Sequence, residues 1–214
     1  MKLVRHGESE ANAGRVVTHQ VGDHAIPLSP RGWEQAREVG RKLGREFLDG
    51  ALAYTSPYRR ARETLAGIYE GIDAEVPERG HGLYEDPRLR EVEHGYEPVE
   101  PQEPLRKTHG WFYYRFRGGE SPADCYDRTS SFLESLMRQV ERKNAERVLI
   151  VTHGLTIRCF VMRFLHLSVD EFDSLANPPN GAIITLAHKE TLPDCLFTSG
   201  RWGVSGLSLR DEAS

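Results

Sequence analysis

Val148-Leu-Ile-Val151 constrains the fold more than any other stretch of the chain: four consecutive apolar residues, three of them β-branched, running into Thr152-His153-Gly154. A short run of this kind reads as a buried strand. Around it, helical and strand-like segments alternate. That order predicts a three-layer α/β/α sandwich with a mostly parallel central sheet.

Leu3-Val4 reads as a short first strand and Ala51-Leu-Ala-Tyr54 as a second. Three Ser-Pro pairs, at 29–30, 56–57 and 121–122, each read as an N-cap serine followed by proline in the first helical turn. Trp33, Ala36, Gly40, Leu43 and Phe47 follow three-four spacing, so the first of these helices turns one face to the sheet. The second is expected to run to about Tyr69. Asp124 completes a capping-box-like start for the third, whose stripe is Tyr126, Thr129, Leu133, Leu136 and Val140, ending near Asn144. A helix over about Thr156–Leu165 and strands over Ala182–Ala187 and Cys195–Thr198 complete the prediction, with a frayed end.

The 214 residues suit one domain, 1–214, with material for a core. A net charge of −4 without a dense Lys/Arg run argues against nucleic acid as partner. No stretch has the apolar length of a membrane span. Arg5, His6, Glu8 and Glu10 interrupt any secretory signal at the start. Cys125, Cys159 and Cys195 are odd in number and far apart, so buried free thiols in a reducing cytoplasm are expected.

The chemistry is suggested by two His-Gly steps at predicted strand ends, Arg5-His6-Gly7 and His153-Gly154. Carboxyl ends of strands are where open α/β sheets bind ligands. One imidazole there can attack phosphorus while the other, with arginines, holds the oxygens. The remaining histidines show no metal-ligand spacing, so neither a metal nor any other cofactor is expected. One stretch breaks the rhythm: about 95–120 holds three prolines and the aromatic run Trp111-Phe-Tyr-Tyr-Arg-Phe116, and is expected to be an irregular, cap-like segment.

Six ordered motifs resemble the histidine phosphatase superfamily, which includes the cofactor-dependent phosphoglycerate mutases. They are Arg5-His6-Gly7-Glu8-Ser9 with Asn12; Ile26-Pro-Leu-Ser-Pro-Arg-Gly32 with Gln35-Ala36; Ser56-Pro-Tyr-Arg-Arg60-Ala61-Arg-Glu-Thr64; Leu89-Arg-Glu91 with Gly95; Gly119-Glu120-Ser121 leading to Arg128; and Val151-Thr-His153-Gly154. Ser9-Glu10-Ala11 stands where the phytase-like branch would carry Arg-x-Pro, which favours the mutase/phosphatase branch.

The resemblance implies a phosphoglycerate mutase-like fold and a set of roles. His6 is the nucleophile that becomes a phosphohistidine, His153 stabilises the equatorial oxygens, and Glu91 is general acid, then base. Arg5, Arg60 and Asn12 bind phosphate, joined by Thr18 and Gly154. Arg60 falls in the first turn of its helix, where the macrodipole also favours an anion. Arg115, Arg117, Tyr113 and His19 are the candidate substrate-specificity residues, His19 because it follows Thr18 where the mutases carry glycine. The segment between Glu91 and Glu120 is shorter than in the mutases, and its basic residues do not follow their carboxylate-binding pattern. The expected function is therefore a metal-independent phosphomonoesterase acting on a small phosphorylated metabolite. The alternatives are a cofactor-dependent phosphoglycerate mutase and a non-catalytic phospho-ligand binder, with a homodimer left open.

Overall fold

The computed structural model describes residues 1–95 and 97–210, apart from the side chains of His19 and Gln20. Among those residues the strands are β1 (Lys2–Arg5), β2 (Leu52–Thr55), β3 (Leu83–Glu85), β4 (Val148–Thr152), β5 (Ile183–His188), β6 (Phe197–Ser199) and β7 (Trp202–Ser205). They form one sheet in the order β3-β2-β4-β1-β5-β7-β6. β3, β2, β4 and β1 pair in parallel, and β5, β7 and β6 extend the sheet by antiparallel pairing.

The helices are α1 (Thr18–Val21), α2 (Pro30–Leu48), α3 (Arg59–Glu70), α4 (Glu103–His109), α5 (Pro122–Lys143), α6 (Gly154–Leu165) and α7 (Val169–Ser174). Strand alternation sorts them into two layers. Val4, Ala53, Leu149 and Val151 belong to one cluster with Val39 and Leu43 of α2 and Leu65 and Ile68 of α3. Leu3, Leu52, Tyr54, Val148 and Ile150 belong to another with Phe132 and Leu136 of α5, Ile157 and Phe160 of α6, and Phe172 of α7. Because successive side chains point to opposite faces, a continuous apolar run such as 148–151 serves both clusters at once. Each fully buried Leu, Ile or Phe contributes about 1.5–3 kcal/mol, so neither helical layer is dispensable.

Two of the three Ser-Pro starts behave as expected. Ser29 accepts from Gly32 N at the head of α2, and Ser121 forms a capping box with Asp124 at the head of α5. The middle one does not. α3 begins at Arg59 with Tyr58 as N-cap and no side-chain cap, so Ser56 lies outside the helix. Its hydroxyl has a different partner in the site.

Other departures have equally local causes. α6 starts at Gly154, two residues earlier than expected, because His153 itself is the N-cap. The stretch 95–120 contains a 3-10 turn (Glu100–Gln102) and α4. Pro101 and Pro104 sit in the first turns of these elements, where proline lacks nothing the helix needs. The terminal strand falls at Phe197–Ser199 and forms a hairpin with β7, which carries little apolar alternation to announce it. β3, α1 and α7 are too short for periodicity to reveal. Cys125 and Cys159 are buried, but Cys195 is exposed, correcting the uniform expectation for the thiols. The frayed end, residues 211–214, lies outside the described residues.

This topology positions the site. β2, β4 and β1 are parallel neighbours in register, with Thr55 opposite Val151 and Thr152 opposite Arg5. Ser56, His153 and His6 are the residues that follow their carboxyl ends, so three distant parts of the chain meet in one row.

Candidate active site

The loop after β1 is clamped to the head of α2 by two glycines. A Cβ on Gly7 would lie 2.4 Å from the Gly32 carbonyl oxygen, and one on Gly32 would lie 2.1 Å from that of Glu8. Any side chain at either position would prise them apart. Three side chains complete the clamp. Gly7 N donates to Thr64 Oγ1 (3.0 Å), Glu8 N donates to Gln35 Oε1 (2.8 Å), and Ser29 Oγ donates to Glu8 Oε1 (2.6 Å). Several residues of the recognised motifs therefore act on the backbone of the His6 loop rather than on a ligand.

His6 is held in one tautomer. Its Nδ1 lies 2.7 Å from the Gly7 carbonyl, which can only accept, so Nδ1 carries the proton. Nε2 is then the free base, and it accepts from Arg60 Nε at 3.2 Å. Burial, then the charge of Arg60, holds the His6 pKa well below 6.5. The imidazole is thus a neutral base with its lone pair at the mouth of the strands.

The His153 ring lies 5.1 Å from that of His6 and is fully buried. Ser56 Oγ, which accepts from Tyr58 N at 3.3 Å, lies 2.8 Å from His153 Nε2. The hydroxyl proton is free to be donated to Nε2, which leaves the proton of the neutral ring on Nδ1. That atom is buried and has no partner among the described residues. An unsatisfied buried donor costs roughly 1–3 kcal/mol, and an anionic oxygen beside His6 would satisfy it. Burial first, and then the Arg60 charge, hold the His153 pKa well below 6.5 as well.

Arg60, in the first turn of α3, is 5% exposed, and its guanidinium lies over the Tyr58 ring at 5.0 Å. Arg5 Nη1 donates to the Pro178 carbonyl, while its Nε is buried and has no partner among the described residues. The charges of both guanidiniums, Arg60 more than Arg5, act on the histidine pair.

Glu91 is half-buried. Its Oε1 accepts from Val92 N (3.0 Å) and Thr156 Oγ1 (3.4 Å), and Thr156 also donates to the Arg90 carbonyl (2.7 Å). The first turn of α6 therefore fixes the loop carrying this carboxylate. Burial lowers the Arg5 pKa, and the charge of Glu91 opposes that shift, which places the acid within electrostatic reach of the cradle. Neighbouring carboxylates have other duties: Asp86 pairs with Arg88 (2.7 Å), and Glu85 with Arg79 (2.8 Å). Glu120 accepts from Arg90 and from Arg128 (3.2 Å), so the fifth motif braces the same loop. Gly95 is needed there: at φ 73° its Cβ would lie 2.0 Å from the Arg117 carbonyl oxygen.

The remaining expected site residues have these surroundings. Asn12 is exposed, with Oδ1 accepting from Ser9 N (3.2 Å) and Asn180 Nδ2 (3.1 Å). Gly154 opens α6, and its missing side chain admits Asn177, whose Oδ1 would lie 2.3 Å from a Cβ. Thr18 is exposed at the start of α1, and the His19 side chain lies outside the described residues. Tyr113 is 62% exposed, Arg115 is paired with Asp124, and Arg117 with Glu97 (3.2 Å). None of these three makes a hydrogen bond to the histidine pair. Phe112, Tyr114 and Phe116, in contrast, are core residues.

Sequence reasoning missed four contributors: Ser56, which fixes His153; Thr64, which holds Gly7 N; Asn180, which donates to the His6 carbonyl (3.1 Å); and Asp23, whose carboxylate grips Arg60. Ser56 and Thr64 stood within a quoted motif, but their partners are far away in sequence. Among the described residues no group of three or more His, Cys, Asp or Glu is arranged to hold a metal ion.

Parallel strands bring a neutral imidazole and a second buried imidazole together at their carboxyl ends, and α3 sets the Arg60 guanidinium beside them, in a fold of helices on both faces of one sheet. The histidine phosphatase superfamily (branch 1) matches residues 1–198, and the chain belongs to that superfamily. It is 37% identical over 199 residues to phosphoglycerate mutase-like protein AT74 of Arabidopsis thaliana, covering 85% of this chain and 62% of AT74. It is 30% identical to the broad-range acid phosphatase DET1 of Saccharomyces cerevisiae, covering 89% and 85% of the two chains. Among solved structures, a mycobacterial glucosyl-3-phosphoglycerate phosphatase shares the fold with a TM-score of 0.71 at 23% identity, over 95% and 96% of the two chains.

Proposed function

We propose that the protein is a metal-independent phosphomonoesterase acting on a small phosphorylated metabolite. His6 Nε2 attacks phosphorus in line and the P–O bond to the leaving group breaks, with Glu91 supplying the proton to the departing oxygen. Glu91 then takes a proton from water as water attacks the phosphohistidine, which returns His6 and releases inorganic phosphate. Arg60, Arg5 and His153 Nδ1 would hold the equatorial oxygens during both steps. The observation that carries this reading is the His6 tautomer: a proton fixed on Nδ1 by the Gly7 carbonyl and a lone pair on Nε2 between a guanidinium and a second imidazole. Relatives whose names are phosphatases support hydrolysis as the outcome.

The two buried free thiols support a reducing, cytoplasmic setting, and no described helix is long and apolar enough to cross a membrane. The name of AT74 keeps mutase activity as the second reading. The ion pairing of Arg115 and Arg117 within the protein favours the phosphatase, because a mutase must hold a phosphorylated acid in two orientations.

Hydrolysis of para-nitrophenyl phosphate in the presence of chelator tests the proposal. Turnover should persist, an acid-labile phosphoenzyme should be trapped, and His6→Ala should lower turnover roughly 10⁴-fold or more. Loss of activity on chelation would remove the metal-free mechanism. With 3-phosphoglycerate and a trace of bisphosphate, isomer forming faster than free phosphate would favour the mutase.

A further inference from the structure

The loop that precedes β5 meets the loop that follows β1. β5 pairs antiparallel with β1, Val4 opposite Ile183, so it presents its amino end where β1 ends. Arg5 Nη1 donates to the Pro178 carbonyl and Arg5 N to the Ala182 carbonyl (3.1 Å). Gly181 N donates to the carbonyls of Arg5 (3.2 Å) and His6 (3.3 Å). No motif in the sequence pointed to this loop, yet it is bonded to both residues of the Arg-His step.

The Asn180 side chain reaches from that loop to the nucleophile. Its Nδ2 lies 3.1 Å from the His6 carbonyl oxygen, 3.3 Å from that of Gly7 and 3.1 Å from Asn12 Oδ1. All three are acceptors, so one proton is shared between the two carbonyls and the other goes to Asn12. The Gly7 carbonyl is also the one that accepts from His6 Nδ1 at 2.7 Å, so both its lone pairs have donors. The peptide joining Gly7 to Glu8 is thus pinned at both ends, its N–H on Gln35 Oε1 (2.8 Å) and its C=O on Asn180. A peptide beside glycine otherwise rotates with little steric opposition. Rotation would take the acceptor away from Nδ1, and the ring would lose the bond that sets its orientation and its tautomer.

We propose that Asn180 is a positioning residue for the nucleophile: it holds the Gly7 carbonyl on His6 Nδ1 and so fixes the ring whose Nε2 attacks phosphorus. The inference rests on the reading of His6 as that nucleophile. Arg60 Nε donates to Nε2 from the other side of the ring, so removing Asn180 should loosen the imidazole rather than invert its tautomer.

NMR of the His6 ring and rapid mixing with para-nitrophenyl phosphate test this in wild type, Asn180→Asp and Asn180→Ala. The aspartate keeps the size of the side chain but turns a charged oxygen toward three acceptors. In both variants the His6 Nδ1 proton should exchange with solvent about tenfold faster. The nitrophenolate burst that reports phosphoenzyme formation should slow about tenfold, with inorganic phosphate affinity within about twofold of wild type. Nδ1 exchange within about twofold of wild type would overturn the proposal whatever the burst does, because a loop that merely props the fold leaves the ring bond intact. Should neither variant fold, wild type decides: the side-chain amide protons of Asn180 should exchange about tenfold more slowly than those of exposed Asn177. Equal rates there would end the proposal. A wild type with a protected Nδ1 proton that forms no phosphoenzyme would overturn the nucleophile reading instead and leave the exchange comparison intact.

Discussion

The cradle and the 95–120 segment were the two regions of the chain expected to touch substrate, and they are built on opposite principles. His6, Ser56 and His153 leave the ends of three parallel strands whose register is set by backbone pairing, so their separation follows from sheet geometry. Residues 112–117 instead alternate between buried and exposed along a turn and the irregular chain after it, with no ladder. Phe112, Tyr114 and Phe116 enter the core, while Tyr113, Arg115 and Arg117 face outward. Inward residues of the segment hold the fold. The two outward arginines are tied up in ion pairs with Asp124 and Glu97. The lesson is that a dense aromatic run beside a site can be a structural wedge, with its chemistry confined to alternate positions.

The comparison predicts its largest effect on the wedge side. Phe112 stacks edge-on against Phe172 of α7 at 5.2 Å and is 6% exposed. Phe112→Ala should cost about 3–5 kcal/mol of stability, read by denaturant unfolding. A loss below about 1 kcal/mol would mean the segment rides on the surface rather than wedging the core.

A middle-sized effect belongs to the cradle. Both histidine pKa values are held below 6.5 by burial and then by the Arg60 charge. In the unfolded chain these groups take up protons as pH falls through 6.5, whereas in the fold they resist. The unfolded state then binds more protons, so stability falls as pH is lowered from that point. His6→Gln and His153→Gln should each flatten the decline in melting temperature between about pH 6.5 and 5. Identical slopes in wild type and both variants would contradict the buried, neutral pair.

The smallest effects are expected at the outward residues. Arg115→Ala and Arg117→Ala should change stability by no more than about 0.5 kcal/mol, because both arginine side chains are well exposed. They should leave KM for para-nitrophenyl phosphate within about threefold. A tenfold rise in KM confined to substrates with a second negative charge would restore these arginines as specificity residues and sharpen the division of the segment into two faces.

Much of the fold was legible in order along the chain. The apolar run at 148–151, the capped starts at Ser29 and Ser121, and the periodic faces of α2 and α5 are local signals, and local structure obeyed them. Short elements such as β3 and α7, and the strand β7, were not legible, because a few residues carry too little periodicity and their stability comes from neighbours. In the site, residue types and motif spacing named His6, His153, Arg5, Arg60 and Glu91. Spacing could not reveal that Ser56 abandons its capping role to hold His153, nor that Asp23 would close on Arg60 from 37 positions away.

What the sequence by itself determined is which groups are available: two imidazoles at strand ends, guanidiniums beside them, and a carboxylate on a loop. Only the tertiary structure decided their states. Proton placement on His6 depends on a carbonyl orientation, the unsatisfied donor on His153 depends on a serine at the end of the neighbouring strand, and the charge balance of Arg60 depends on Asp23, from outside its helix. Hydrogen bonds and charges act over a few ångströms of space, whatever the distance along the chain.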